Sequence, residues 1–279
     1  MTQPDATLIA PRRLVWAQQT GLVAAADNDA RARTPHVVDS WLLENGRVRG
    51  LAQHESRFAA SCAGLAGGAT AESMHAFLAT VRTRLPRSGA WFPRLEMYVG
   101  SRSELGLWLR PAPPRRTTTA LWVPSAPDPR RHPRVKGADL DVLARLREQA
   151  GRFDAADALL YLADGTVLEA AHAAVVWWRG PVLCLPEPRL PTLASVTTRL
   201  LTDVAQHHGI AVRYEHCQLA ELPHLPVWTV NALHGIRQVS RWTGAVQADS
   251  TPIGPSLPRL QAALLATATP LTPILGQAR

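Results

Sequence analysis

The chain has 279 residues, 46% hydrophobic and 19% charged, which suits one large or two modest domains with a proper core and excludes a disordered protein. Its formal net charge of +8 comes almost wholly from arginine, because Lys136 is the single lysine. Such a balance could attract nucleic acid or an anionic small molecule, but the arginines are scattered and form no basic stripe with interleaved aromatics, which argues against a nucleic acid partner and reads as genomic composition rather than mechanism.

Residues 1–12 read as a tail. Leu14, Val15 and Trp16 pair with Leu22, Val23 and Ala24 in a small hairpin across Gln18 to Gly21, and residues 28–35 are polar and loop-like. A strand over 37–43 turns at Glu44-Asn45-Gly46 and returns through Arg47 and Val48. Leu51, His54, Phe58, Cys62 and Leu65 share one helical face, broken by Gly64, Gly67 and Gly68, which form no dinucleotide fingerprint. A second helix over 71–85 carries Met74, Phe77, Leu78 and Val81 on one face and stops at Pro86. Strands follow at 92–99, 105–109 and 118–123. The proline-rich 124–135 stretch is read as a linker between a first domain, 1–123, and a second, 136–279.

The second part opens with a helix over 139–151. A hairpin, 158–162 with 166–170, turns at Asp164-Gly165, and another, 175–178 with 182–185, turns at Arg179-Gly180-Pro181. Trp177-Trp178 in that hairpin is read as half core, half interface. A helix over 196–208 ends at Gly209. Strands at 210–216, 227–230 and 236–242 precede a last helix over 256–268. This mixture of hairpins and helices makes the fold class α+β with two domains.

Cys62, Cys184 and Cys217 are odd in number and far apart, which predicts a reduced compartment without a disulfide framework. No signal-peptide pattern opens the chain and no apolar run reaches membrane length, so a soluble, cytoplasmic protein with no membrane partner is expected. His207-His208 with His216-Cys217 fits no recognised zinc spacing, so no metal is expected either.

Two residues carry the strongest chemical signal. Lys136 stands between the proline-rich stretch and a helix, and a lysine desolvated at a domain boundary can lose its proton and act as an amine nucleophile. Glu169 stands among Val167, Leu168, Ala170, Ala171 and Ala173, where an acid is costly to bury unless a cation meets it. A lysine for a Schiff base and a carboxylate for a pyridine nitrogen are what a pyridoxal phosphate site needs. A surface lysine and a strand-end glutamate would give the same two residues no chemistry.

This pair, with three more motifs in order, resembles the class IV aminotransferase family of fold-type IV pyridoxal phosphate enzymes. Members of that family include branched-chain and D-amino-acid aminotransferases and 4-amino-4-deoxychorismate lyase. His54-Glu55-Ser56-Arg57-Phe58 resembles the helix whose arginine binds cofactor phosphate. Leu193-Ala194-Ser195-Val196-Thr197-Thr198-Arg199 resembles the phosphate loop, and Asn231-Ala232-Leu233 a segment common among the lyases. The resemblance implies pyridoxal 5'-phosphate as cofactor, Lys136 as catalytic residue, and Arg57, Glu169, Ser195, Val196, Thr197, Asn231 and Ala232 around the cofactor. Arg110 and Arg237 are candidates to meet the carboxylates of a small amino substrate. A homodimer, cofactor site at a domain interface, is implied as well.

The departures point away from a branched-chain aminotransferase. Ala194-Ser195 replaces proline-glycine, Ala174 an asparagine, and Asp141 the tyrosine five residues after the lysine. Thr34-Pro35-His36-Val37-Val38 stands where a glycine-rich segment is usual. The expected activity is therefore the lyase reaction giving 4-aminobenzoate and pyruvate. The alternatives are amino transfer on D- or branched-chain amino acids and a degenerate member without catalysis.

Overall fold

A computed structural model describes residues 11–25, 34–65, 69–100, 103–255 and 257–272. The first ten residues of the tail, most of the 28–35 loop, Gly67, Gly68 and the first residue of the last helix, Ser256, lie outside the described residues.

β1 (Arg12–Ala17) and β2 (Gly21–Ala24) form the expected hairpin, Ala17 opposite Gly21. The strand expected over 37–43 is broken into β3 (Val37–Ser40) and β4 (Leu43–Glu44), each in a different sheet. β4 returns as β5 (Arg47–Val48) through Asn45 and Gly46, at φ 48° and 70°. Two successive positive φ values make the turn that asparagine-glycine favours. α1 (Leu51–Ala63) and α2 (Ala71–Arg84) follow, α2 capped by Thr70, whose side chain accepts from the Ser73 amide. Leu85 leaves that helix extended, as a residue before proline must.

β6 (Ala90–Trp91), β7 (Arg94–Tyr98) and β8 (Glu104–Leu109) come next. One sheet has the order β2-β1-β8-β7-β3, and Phe58, Cys62, Phe77, Val81, Leu95, Met97 and Leu107 pack beneath it, all fully buried.

β9 (Thr118–Val123), which the sequence reading puts at the end of the first domain, lies inside a second sheet of eight strands. Its other members are β10 (Asp157–Tyr161), β11 (Val167–Ala170), β12 (Ala174–Arg179), β13 (Val182–Pro186), β14 (Val212–Glu215), β15 (Val227–Asn231) and β16 (Gly235–Gly244). α3 (Leu140–Gly151) precedes β10, α4 (Val196–His207) precedes β14, and α5 (Leu257–Ala266) follows β16. A bridge between Thr166 and Gln218, beside the two edge strands, shows that the sheet curls until its edges meet. The period-two alternation of a strand then divides the side chains. Leu121, Leu159, Val175, Trp177, Val227 and Val239 fill the concave side, while Val176, Trp178, Trp228 and Ile236 meet Leu201 of α4 and Leu260 of α5 on the convex side. Trp177 and Trp178 are thus both core residues, on opposite faces, and neither is left half exposed. β17 (Thr269–Pro270) closes on β5.

Candidate active site

Lys136 is placed by the turn it sits in. Asp139, at the start of α3, accepts from the Arg131 amide at 3.1 Å and the His132 amide at 2.8 Å, folding the chain back on itself. The Lys136 carbonyl accepts from the Val38 amide of β3 at 2.8 Å. Gly137 follows at φ 120°, and a Cβ there would lie 2.7 Å from the Val38 nitrogen, so only glycine lets the lysine segment lie so close to β3. Burial holds the Lys136 amine below the usual lysine range, with the charge of Arg57 adding to it and those of Asp39 and Glu169 opposing.

Asp39 follows Val37 on the same face of β3, toward α1, which packs on that strand. It is fully buried. Arg57 grips it twice, Nε to Oδ2 at 2.8 Å and Nη2 to Oδ1 at 2.9 Å, and His54 Nδ1 approaches Oδ1 at 2.7 Å. A carboxylate only accepts, so Nδ1 carries the His54 proton. Burial alone raises the Asp39 carboxyl, but His54 and Arg57 outweigh it and hold the group at about 2. Arg57 Nη1 also donates to the Ala194 carbonyl at 2.8 Å, tying α1 to the loop before α4.

That loop ends in a helix start. Ser195 is the N-cap of α4, at φ −74° and ψ 118°, with Oγ accepting from the Thr198 amide at 3.2 Å. These angles suit any residue, so serine costs no backbone strain here. Among the described residues no acceptor meets the Val196 or Thr197 amide, and Thr197 is buried. Free amides at a helix start form an anion site.

Glu169 is buried, and its Oε1 accepts both from Arg130 Nη1 at 2.7 Å and from the Leu193 amide at 2.9 Å. Burial pushes its carboxyl up, and Arg130 and the Leu193 amide pull it back toward the charged form. Asp128 Oδ2 secures Arg130 at 2.8 Å, so the stretch read as a linker actually builds the wall behind Glu169.

Asn231 closes the β15–β16 turn, Oδ1 accepting from the His234 amide at 2.8 Å, and the Ala232 carbonyl accepts from Arg49 at 2.7 Å. Arg110 follows β8 of the first sheet, and Arg237 lies in β16 of the second. Arg110 donates to the Phe92 carbonyl at 2.9 Å and lies 4.6 Å from the Trp108 ring centre. Arg94 covers the same ring at 4.7 Å and is the arginine of that group whose charge reaches Lys136. Arg237 lies on the concave side of the second sheet.

Sequence reasoning missed Asp39, Arg94, Arg130 and Asp139. Asp39 had a signal: an acid in the apolar run Val37-Val38 poses the same burial problem as Glu169. Arg94, Arg130 and Asp139 look like surface charges until the chain is folded. Among the described residues, no group of three or more His, Cys, Asp or Glu could hold a metal ion, the three cysteines are buried and free, and no helix is long and apolar enough to cross a membrane.

Solved structures share this fold. A hypothetical aminotransferase from Mycobacterium tuberculosis in its PLP-bound form is 21% identical with a TM-score of 0.74, covering 91% of this chain and 98% of that one. A branched-chain aminotransferase from Thermoproteus uzoniensis with norvaline is 17% identical with a TM-score of 0.77, covering 94% and 99%. The Escherichia coli branched-chain amino acid aminotransferase is 17% identical with a TM-score of 0.76, covering 91% and 94%. A search of curated proteins finds no match. The family described as amino-transferase class IV matches residues 36–242, a span that takes in Asp39, Arg57, Lys136, Glu169, the α4 start and the Asn231 turn, and this chain belongs to that family.

Proposed function

We propose that this protein is a pyridoxal 5'-phosphate-dependent lyase resembling 4-amino-4-deoxychorismate lyase, with Lys136 as its catalytic residue. The observation that carries the reading is the setting of Lys136: the chain's one lysine, buried and held below its usual range, within reach of the charges of Arg57 and Glu169, which bond to Ala194 and Leu193 of the loop before α4. These residues fit the cofactor. Arg57, Ser195, Val196 and Thr197 would hold its phosphate, and the second oxygen of Glu169, which no donor meets among the described residues, would take the pyridine nitrogen. Asn231 and Ala232 would line its edge. When bound, the cofactor supplies an electron sink for charge developing at the substrate α-carbon.

The chain's own residues do the rest. Lys136 Nζ takes the substrate's α-proton, as its lowered basicity allows. Glu169 would meet the ring nitrogen, and Arg130 favours its charged form against the burial that raises its carboxyl. Arg110, stacked on Trp108, offers a cation for a substrate carboxylate, whereas Arg94 on the same ring is already ion-paired with the buried Glu96. Loss of the enolpyruvyl group as pyruvate would leave 4-aminobenzoate. Likeness to the family supports a homodimer as the working unit, and we place it in the cytoplasm. The two-domain division, joined through residues 124–135, belongs to the same proposal.

Amino transfer is the second reading, favoured by the solved neighbours titled branched-chain aminotransferases. Incubation with aminodeoxychorismate and no added 2-oxo acid decides between them. Release of 4-aminobenzoate and pyruvate supports the lyase. Turnover that needs 2-oxoglutarate or pyruvate as acceptor overturns it in favour of the transaminase. A purified protein with no borohydride-sensitive visible band would leave the degenerate, non-catalytic member.

A further inference from the structure

The curled sheet holds a buried arginine whose side chain no hydrogen bond or ion pair meets among the described residues. Arg237 is 5% exposed, its Nε has no hydrogen-bond partner, and no ion pair reaches it among the described residues. Directly opposite on β15 stands Thr229, 1% exposed, whose hydroxyl is also without a partner. Residues opposite each other on antiparallel strands share a face at close range, so the two orphaned groups are neighbours. The nearest acid does not serve them. The charge of Asp157 is felt by Arg237, but its oxygens accept from the Ala158 amide at 3.1 Å, the His172 amide at 3.1 Å and His172 Nδ1 at 3.2 Å. Arg147 and Arg116 add further positive charge. His234, one turn away, accepts from the Arg116 amide through Nδ1 at 3.2 Å, so its neutral ring carries the proton on Nε2 and can donate.

A guanidinium stays charged at any physiological pH, and a buried charge without a bonded partner is destabilising. A fold that keeps one needs an anion to meet it. We infer that Arg237, Thr229 and His234 form a carboxylate-binding pocket at the mouth of the curled sheet, beside the Asn231–Gly235 turn. The carboxylate is either one borne by the amino substrate, remote from its amino group, or a free carboxylate from solution. The first source rests on the proposed function, and the pocket itself does not.

The test uses the full chain, with and without pyridoxal 5'-phosphate, titrated with malonate and with benzoate by calorimetry and thermal melting. The wild type should bind one of them and melt higher in its presence. Arg237→Gln should weaken that binding by about ten-fold or more, since a charge-assisted pair is lost. Without anion, this variant should melt no lower than the wild type, because it removes an uncompensated charge. Thr229→Val, of nearly the same shape, should weaken binding by about three- to ten-fold. A wild type that binds neither probe overturns the pocket. So does Arg237→Gln binding as tightly as the wild type, or melting far below it with Thr229→Val unaltered in affinity. Competition with the amino substrate identifies the substrate's own carboxylate as the ligand, and binding without competition identifies a free one. Failure of the wild type to take up pyridoxal 5'-phosphate would sink the proposed function and leave the calorimetric result standing.

Discussion

Arg57 and Arg237 are both largely removed from water, yet their surroundings are opposite. Arg57 has the two oxygens of Asp39, the Ala194 carbonyl and His54 around it. Arg237 has an orphaned Nε and a hydroxyl that bonds to nothing. Where every charge has a partner, the fold fixes geometry and protonation in advance, and the group is ready for an already specified ligand. Where a buried charge has none, the fold keeps a cost that only an added anion offsets. The first arrangement suits a permanently held cofactor, the second a ligand that comes and goes.

The comparison would break first at Lys136. Lys136→Ala should remove essentially all turnover and the borohydride-sensitive visible band, because no second lysine exists. Retained activity, measured as product release under saturating cofactor, would place the chemistry elsewhere in the molecule.

Glu169→Gln comes next. It keeps the shape but loses the charge opposite the proposed ring nitrogen, and turnover should fall on the order of 100-fold or more. Wild-type rates in this variant would make the Arg130–Glu169 pair a purely structural one.

Asp39→Asn sharpens the contrast directly, since it turns Arg57 into a second poorly paired arginine. The folded-state carboxyl is held at about 2, below its ordinary 3.8. A depressed acid stabilises the fold above its unfolded value, and that contribution disappears as pH falls through the folded one. The wild type should therefore keep this stability above pH 3.8 and lose it between there and about 2. At neutral pH the variant should lose about 3 kcal/mol, and urea unfolding across that pH range should show it without this acid transition. Equal midpoints for the two proteins at neutral pH would mean that Arg57 does not depend on Asp39.

Ser195→Ala should give the smallest change. Its hydroxyl caps α4, and loss of such a cap costs about 1 kcal/mol, whereas Ser195→Gly should cost only a few tenths. Thermal melting of both variants reads the difference. A glycine variant that binds cofactor far more tightly than the wild type would show that serine hinders this loop.

What the sequence determined by itself was local. The asparagine-glycine turn at Asn45, the cap at Ser195, the end of the second helix before Pro86 and the alternation of Val175 to Trp178 all follow from residues a few positions apart, whose propensities act before any tertiary contact forms. The pairing of a lone lysine with an acid in an apolar run was legible too, because burying Glu169 requires a compensating cation wherever the chain goes. The identity of that cation was not legible. Arg130 lies 39 positions away, inside a segment whose prolines suggest a mere connector. Nor could spacing reveal that β9 runs parallel to both β10 and β16, or that 37–43 splits between two sheets, since strand pairing depends on which distant partner offers a complementary edge. Tertiary structure alone decided which arginines are paired: all 29 arginines look alike in one dimension, and only the folded chain brings Asp39 to Arg57 and leaves Arg237 facing an unsatisfied threonine.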